Sequence, residues 1–315
     1  MERISEKILF ETGKAIVGKD EILKKVLMTI LAGGHVLLED VPGVGKTTLA
    51  VAFSKAMGMS YKRVQFTPDT MASDIIGFSV YDKNTGTFEY KKGAVFCNFF
   101  LGDEINRTSA KTQAALLEAM EELSVTADGK TMKLPEPFVC IATQNPLGSA
   151  GTHALPDSQL DRFTVKLSMG YPTLDEQVDI VRHREGENPL DKIAAVATTD
   201  DIVEMKNRVS EVYIDEEIIG YTALLCEKTR SASEVVQGVS PRAVLALVQM
   251  AKAQAFIEGR DYVVPSDIID NFKDVCAHRM ILSPKARINK LTSETVLEEL
   301  LKNTEVPNPK TRKSR

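Results

Sequence analysis

Tryptophan is missing from this 315-residue chain, and aromatic residues of all kinds make up only 6% of it. Proteins that grip unpaired bases need such rings as stacking platforms, so that class of function is disfavoured. Cysteine is scarce as well. Cys97, Cys140, Cys226 and Cys276 are far apart and form no CxxC pair. This reads as reduced core thiols in a cytoplasmic protein, with neither a disulfide framework nor a cysteine metal site. His35, His153, His183 and His278 are equally scattered, and none sits in an HExxH arrangement. No window approaches the roughly 18 uninterrupted apolar residues of a membrane span, and the opening MERISEKILFETGK is charged throughout. No membrane span or signal peptide is therefore expected. Nor does one sign of charge prevail. Lys plus Arg is 39, Asp plus Glu is 44, and the formal net charge is −5, which argues against a surface that coats nucleic acid.

Apolar residues, at 43%, are plentiful enough for one sizeable core and a smaller second one. Ile22, Leu23, Val26, Leu27, Ile30 and Leu31 recur at helical spacing and are closed by Gly33-Gly34. His35-Val36-Leu37-Leu38 then reads as a short buried strand, followed by a glycine-rich turn and a helix from Thr47 to about Met57. Strand, tight loop and helix open an α/β unit. The apolar run Ala94–Leu101 reads as a central parallel strand ending at Asp103-Glu104. A helix over Thr112–Glu122 follows, with Ala115, Leu116, Ala119 and Met120 inward, then a turn at Asp128-Gly129 and a strand over 138–143. Asn84-Thr85-Gly86 marks a small protruding hairpin. After about residue 185 strands become scarce. Helices are expected over 191–196, 199–209, 215–230, 241–258 and 265–278, with EGENPL at 185–190 as the linker. The division is then 1–185 for an α/β domain, 186–303 for a helical domain and 304–315 for a flexible basic tail.

Gly43-Val44-Gly45-Lys46-Thr47 is the strongest chemical signal. Backbone amides at the start of a helix cradle phosphate oxygens. Lys46 reaches the terminal phosphates and the Thr47 hydroxyl meets Mg2+. The strict GxxxxGK[ST] pattern wants glycine at position 40, where Asp40 stands. Phe99–Leu101 delivers Asp103 to a sheet edge as a metal ligand, with Glu104 beside it to polarise water. Asn145, after a third buried strand, either orients that water or merely forms a turn. Arg162 either neutralises a transferring phosphoryl group or pairs locally with Asp157 or Asp161. Ser240-Pro241-Arg242 opens a helix, where a cation opposes the helix dipole, which points to Arg242 serving an anion. Lys91, Lys92, Lys130 and Lys133 either line a pore or are solvated charges on hairpin tips.

In this order the motifs LLEDVPGVGKT, LGDEINR, ATQNP and LPDSQLDRF make the chain resemble the MoxR family of AAA+ ATPases, from about residue 8 to about residue 300. The resemblance implies a P-loop NTPase core, with a central parallel sheet flanked by helices, and a smaller all-α C-terminal lid. It implies ATP bound by Val17, Gly18, Pro42, Gly43, Val44, Gly45, Lys46, Thr47, Thr48, Asp103 and Arg242, with Mg2+ on Thr47 and Asp103. Lys46, Glu104, Asn145, Arg162 and Arg242 carry hydrolysis, with Asn145 as sensor 1, Arg162 as a finger offered to the next subunit and Arg242 as sensor 2. Segment 77–94 matches the insert of the family's second helix, and 123–138 the hairpin before sensor 1. The family forms rings, usually hexamers. It acts as a chaperone-like motor with partners carrying von Willebrand factor A domains, and some members mature or insert metal cofactors in a protein client. Departures are small: Asp157 where Glu is usual, and His153-Ala154 in place of Tyr-Pro. A magnesium-chelatase-type motor, a nucleotide-gated scaffold with little turnover and a nucleic-acid motor are the other readings. The short insert, the absence of a cysteine metal site and DEINR favour the MoxR reading over the chelatase one, and intact Glu104 and Arg162 speak against a scaffold.

Overall fold

The computed structural model describes residues 3–127, 129–145, 155–184 and 188–308. The expectations placed on Asp128, Pro146, His153, Ala154, residues 185–187 and the basic cluster beyond 308 lie outside the described residues. Chain contacts divide the protein into two units. The first takes in the chain up to Leu27, His35–Arg162 and Leu167–Glu204; the second holds Met28–Gly34, Phe163–Lys166 and the chain from Met205.

The order of elements is α1 (Ile4–Gly13), α2 (Asp20–Leu31), β1 (Val36–Glu39), α3 (Lys46–Ala56), β2 (Tyr61–Gln65), α4 (Ala72–Ile76), β3 (Gly77–Asp82), β4 (Thr87–Lys92), β5 (Phe99–Asp103), α5 (Ala110–Glu122), β6 (Ser124–Ala127), β7 (Lys130–Lys133), β8 (Val139–Gln144), α6 (Asp157–Leu160), β9 (Val165–Leu167) and α7 (Leu174–Arg184). Next come α8 (Thr199–Glu211), α9 (Glu216–Ser231), β10 (Val235–Gln237), α10 (Pro241–Ile257), α11 (Pro265–Cys276), β11 (Ile281–Leu282), α12 (Pro284–Ile288) and α13 (Ser293–Lys302). The main sheet runs β2-β5-β8-β1-β9, and the pairs β2/β5, β5/β8 and β8/β1 are parallel. This is the expected α/β architecture. β3/β4 and β6/β7 are antiparallel hairpins apart from that sheet.

Register decides what meets at the carboxyl edge of the sheet. Gln65 pairs with Asp103 and Glu39 with Gln144, so the chain leaves β1, β5 and β8 side by side. In open α/β sheets ligands bind outside this edge. The strands behind it are apolar because they are covered on both faces. Val36–Leu38, Phe99–Leu101 and Val139–Ala142 are all buried. His35 pins the arrangement: its Nδ1 accepts from the Cys140 amide at 3.1 Å, which leaves Nε2–H to donate to the Met120 carbonyl, also at 3.1 Å.

The sequence reading needs several corrections. The central strand begins at Phe99, not Ala94. The Ala94 and Val95 amides donate to Asp74 and Ile75 carbonyls, both at 3.0 Å, so this stretch is tied to α4 rather than to the sheet. No helix spans 191–196; a single 3-10 turn covers Pro189–Lys192. The Val196 and Ala197 amides are taken by the Ala56 carbonyl, and the Ala194 amide by Glu11 at 3.0 Å, which holds the chain extended. On α5 it is Leu117, with Leu116, Ala119 and Met120, that is buried, while Ala115 is half-buried. α4, α6, α7, β9, β10, β11, α12 and α13 lie outside the elements the sequence pattern predicts.

Candidate active site

The loop leaving β1 turns through two left-handed glycines, Gly43 at φ 90° and Gly45 at φ 98°. L side chains rarely take this geometry, so the glycines are required by the path of the chain. Gly45 immediately precedes α3, whose first residue is Lys46. The Lys46 ammonium is buried, with Nζ donating to the Asp40 carbonyl at 2.7 Å and the Val41 carbonyl at 3.4 Å. Burial lowers its pKa, while the charges of Asp40, Asp103 and Glu104 pull the other way. Thr47, the second residue of α3, is half-buried.

Asp40 has a specific task. Its carboxylate accepts from the Ser168 hydroxyl at 2.7 Å, the Met169 amide at 2.7 Å and the Gly170 amide at 3.1 Å. A glycine at this position would leave that segment unfastened from the phosphate loop. The departure from the strict motif is therefore a substitution of one structural part for another.

Asp103 ends β5 and is buried. One carboxylate oxygen accepts from the Thr143 hydroxyl at 2.6 Å, the other from Arg63 at 2.7 Å. The same Thr143 oxygen accepts from the Glu104 amide at 2.9 Å. Glu104 sits at φ 57°, unusual for a residue other than glycine. Its side chain is gripped at both oxygens: Asn145 Nδ2 donates to Oε1 at 3.0 Å, and Arg107 donates to Oε2 at 2.8 Å. The Arg107 bond, then that from Asn145, holds the Glu104 carboxyl below its ordinary range against the opposing effect of burial. Below this shelf, Gln113 donates to the carbonyls of Ile105 and Thr108 at 3.1 and 3.3 Å, propping the 3-10 turn that carries Arg107.

A cavity of about 320 Å³ opens against the same loop. Pro42, Gly43, Val44, Gly45 and Thr48 form one wall; Ile16, Val17, Met169, Tyr171, Gln177 and Ile180 contribute others. Gly18 sits beside it, pressed against Glu176: a Cβ there would lie 2.1 Å from Glu176 Oε1. Arg162 is held elsewhere in the first unit, by the Leu117 carbonyl at 3.0 Å and Glu121 at 2.5 Å, both on α5. Arg242 belongs to the second unit, exposed in the first turn of α10, with its amide donating to the N-cap Ser240 at 3.2 Å.

The structure thus brings Lys46, Asp103, Glu104 and Asn145 together, with Val17 and the glycine loop around a neighbouring cavity. Sequence reasoning gave no role to Arg63, Arg107, Thr143 or the carboxylate of Asp40. Arg107 and Thr143 lie inside the quoted strings LGDEINR and ATQNP, so their places were visible though their tasks were not.

Comparison with known proteins decides the family. Residues 35–165 match the ATPase family associated with various cellular activities (AAA), and residues 227–300 match an AAA lid domain. Chaperone MoxR1 of Mycobacterium tuberculosis is 36% identical over 96% of this chain and 82% of its own length. The chain belongs to the MoxR family of AAA+ ATPases. An uncharacterized protein of Bacillus subtilis, YeaC, is 45% identical over 93% of this chain and 92% of its own. A crystal structure from Cytophaga hutchinsonii, presented as an ATPase, superposes with a TM-score of 0.90 at 37% identity, covering 97% of this chain and 95% of the other. The expected C-terminal lid lies in the second unit, and ATPase activity is the function this membership gives. Among the described residues no helix is long and apolar enough to cross a membrane.

Proposed function

We propose that the chain hydrolyses ATP to ADP and phosphate in a Mg2+-dependent reaction and uses the cycle to remodel a protein client in the cytoplasm. The observation that carries this reading is the gathering of one buried ammonium, two carboxylates and one amide at the sheet's carboxyl edge. The donor set fits Mg2+. Among the described residues no three His, Cys, Asp or Glu converge, and a hard cation that keeps its waters and shares phosphate oxygens needs only one or two protein oxygens. The Asp103 carboxylate and Thr47 hydroxyl would hold it, and it would neutralise charge on the phosphate oxygens.

The chain's own residues supply the rest. The glycine loop and the amides opening α3 receive the phosphates, and Lys46 offsets their charge. Glu104, ionised at neutral pH and steered by Asn145, accepts a proton from the attacking water. The cavity walled by Ile16, Val17 and Ile180 takes the nucleoside. Arg162 from a neighbouring subunit completes the site, which makes turnover depend on a ring, hexameric by the family's habit. The family resemblance alone supports Arg242 as the sensor 2 arginine. The name of the mycobacterial relative supports a protein client; the family resemblance supports a von Willebrand factor A domain partner.

Phosphate release from the wild type beside Glu104→Gln tests the chemistry. Wild type should turn over with Mg2+ and stop in EDTA, and Glu104→Gln should bind ATP yet lose about 100-fold or more in rate. Equal, negligible release from both would make the protein a nucleotide-gated scaffold and remove the hydrolytic reading. Client identity follows from what co-purifies with Glu104→Gln in ATP.

A further inference from the structure

Residues 277–279 form a 3-10 turn after α11, and two of its side chains are turned inward. Arg279 is 6% exposed and His278 7%. The Arg279 guanidinium donates to the Phe163 carbonyl at 2.7 Å, to the Thr164 carbonyl at 3.0 Å and to the Val275 carbonyl. His278 Nε2 lies 3.0 Å from the same Phe163 oxygen. Nε2 also lies 3.1 Å from Arg279 Nη1, so the arginine and the imidazole meet over one carbonyl. The Phe163 side chain is fully buried. Gly34 presses on the next residue so closely that a Cβ would lie 2.1 Å from Thr164 Oγ1. All of these groups belong to the second unit, which claims Phe163–Lys166 although the chain on either side belongs to the first.

The residue immediately before this fastened segment is Arg162. Its guanidinium rests on Leu117 and Glu121 of α5, in the first unit. Its Nε is buried with no hydrogen-bond partner, an unspent donor on a group held by only part of its fork. Arg162 therefore lies between two fastenings: its side chain rests on α5, and its backbone is fixed one peptide bond later under Arg279. We propose that Arg279, with His278, is a positioning residue for Arg162: it sets the backbone from which that arginine is presented to the neighbouring subunit, so the turn after α11 of one subunit bears on hydrolysis in the next. This rests on Arg162 acting across the interface.

Mixed assemblies separate the two ideas. Arg279→Gln should keep ATP affinity within about twofold and lose about tenfold or more in turnover. It retains its own site and lacks only a placed finger. Mixed in equal parts with Lys46→Ala, which has a finger but no working site, it should recover about a quarter of wild-type turnover. Mixed with Arg162→Ala it should recover nothing, since neither subunit presents an arginine. A general loosening of the second unit would not be repaired by a neighbour's finger. Lys46→Ala with Arg162→Ala is the reference pair. If the reference recovers and Arg279→Gln with Lys46→Ala does not, the positioning role is overturned while the action across the interface stands. If the reference fails despite co-assembly, that action is itself wrong and the proposal falls with it. Arg279→Lys keeps the charge but cannot span both carbonyls, and serves if the glutamine variant does not fold. It should show a smaller loss repaired by the same partner, and wild-type turnover from it overturns the proposal.

Discussion

Restoring glycine at position 40 is expected to damage the protein rather than improve its phosphate loop. The Asp40 carboxylate holds three donors at 2.7, 2.7 and 3.1 Å and is 6% exposed. A hydrogen bond to a charged group is worth about 1.5–3 kcal/mol. The three do not add in full, because the Ser168 hydroxyl and Gly170 amide lie where water can reach them, and only the Met169 bond is fully buried. About 2–4 kcal/mol remains, and glycine adds about 0.5–1 kcal/mol of backbone entropy. Near 200 residues each kcal/mol shifts Tm by about 2–4 °C, so Asp40→Gly should melt the nucleotide-binding unit about 5–20 °C early. Asp40→Asn keeps one accepting oxygen and should fall between. The cavity wall at Met169 would loosen too, so nucleotide affinity should drop alongside stability. Calorimetry and ATP titration of the three proteins provide the reading. An Asp40→Gly protein as stable as wild type would refute the argument and leave Asp40 a neutral replacement.

Thr143→Val removes the hydroxyl shared by Asp103 and the Glu104 amide, and steady-state kinetics should show turnover falling by more than nucleotide affinity. Arg260 holds the buried Asp267 with two bonds, at 2.7 and 2.8 Å, so Arg260→Ala should destabilise the second unit by about 3–5 kcal/mol in urea unfolding, partly restored by Arg260→Lys. Burial and the charge of Arg279 keep His278 well below its usual pKa. The unfolded chain therefore takes up a proton that the folded one refuses. Stability should fall by about 1.4 kcal/mol per pH unit below about pH 6.5, down to the folded pKa. His278→Gln should flatten that slope, and an unchanged slope would assign it to other groups.

The chemistry-bearing strings are legible because the residues proposed to serve the nucleotide are contiguous: Gly43–Thr47 is one loop-to-helix junction, and Asp103-Glu104 one strand end. The parallel sheet followed from buried apolar runs separated by a helical period. What escaped came from contacts distant in sequence. Arg63 meets Asp103 only because β2 pairs in register with β5, and nothing on a largely exposed strand announces that. The apolar residues 94–97 read as sheet because hydrophobicity reports burial and not hydrogen-bonding partners. α7 was hidden for the opposite reason: Leu174, Val178 and Val181 are solvent-facing, so no inward stripe marked it.

Neighbouring residues on a pleated strand face away from each other, so two consecutive acids ought to serve opposite sides of a sheet. Here the second acid escapes that alternation because the strand stops at Asp103 and the chain swings through a left-handed corner at Glu104. The corner turns a linear dipeptide into a pincer, with the Thr143 hydroxyl as its pivot. A β-branched residue could not make this bend, and a straighter strand would aim the would-be base into the protein's interior. The local discomfort of that one backbone angle is thus what the proposed pairing of a metal ligand with a proton acceptor on adjacent residues depends on.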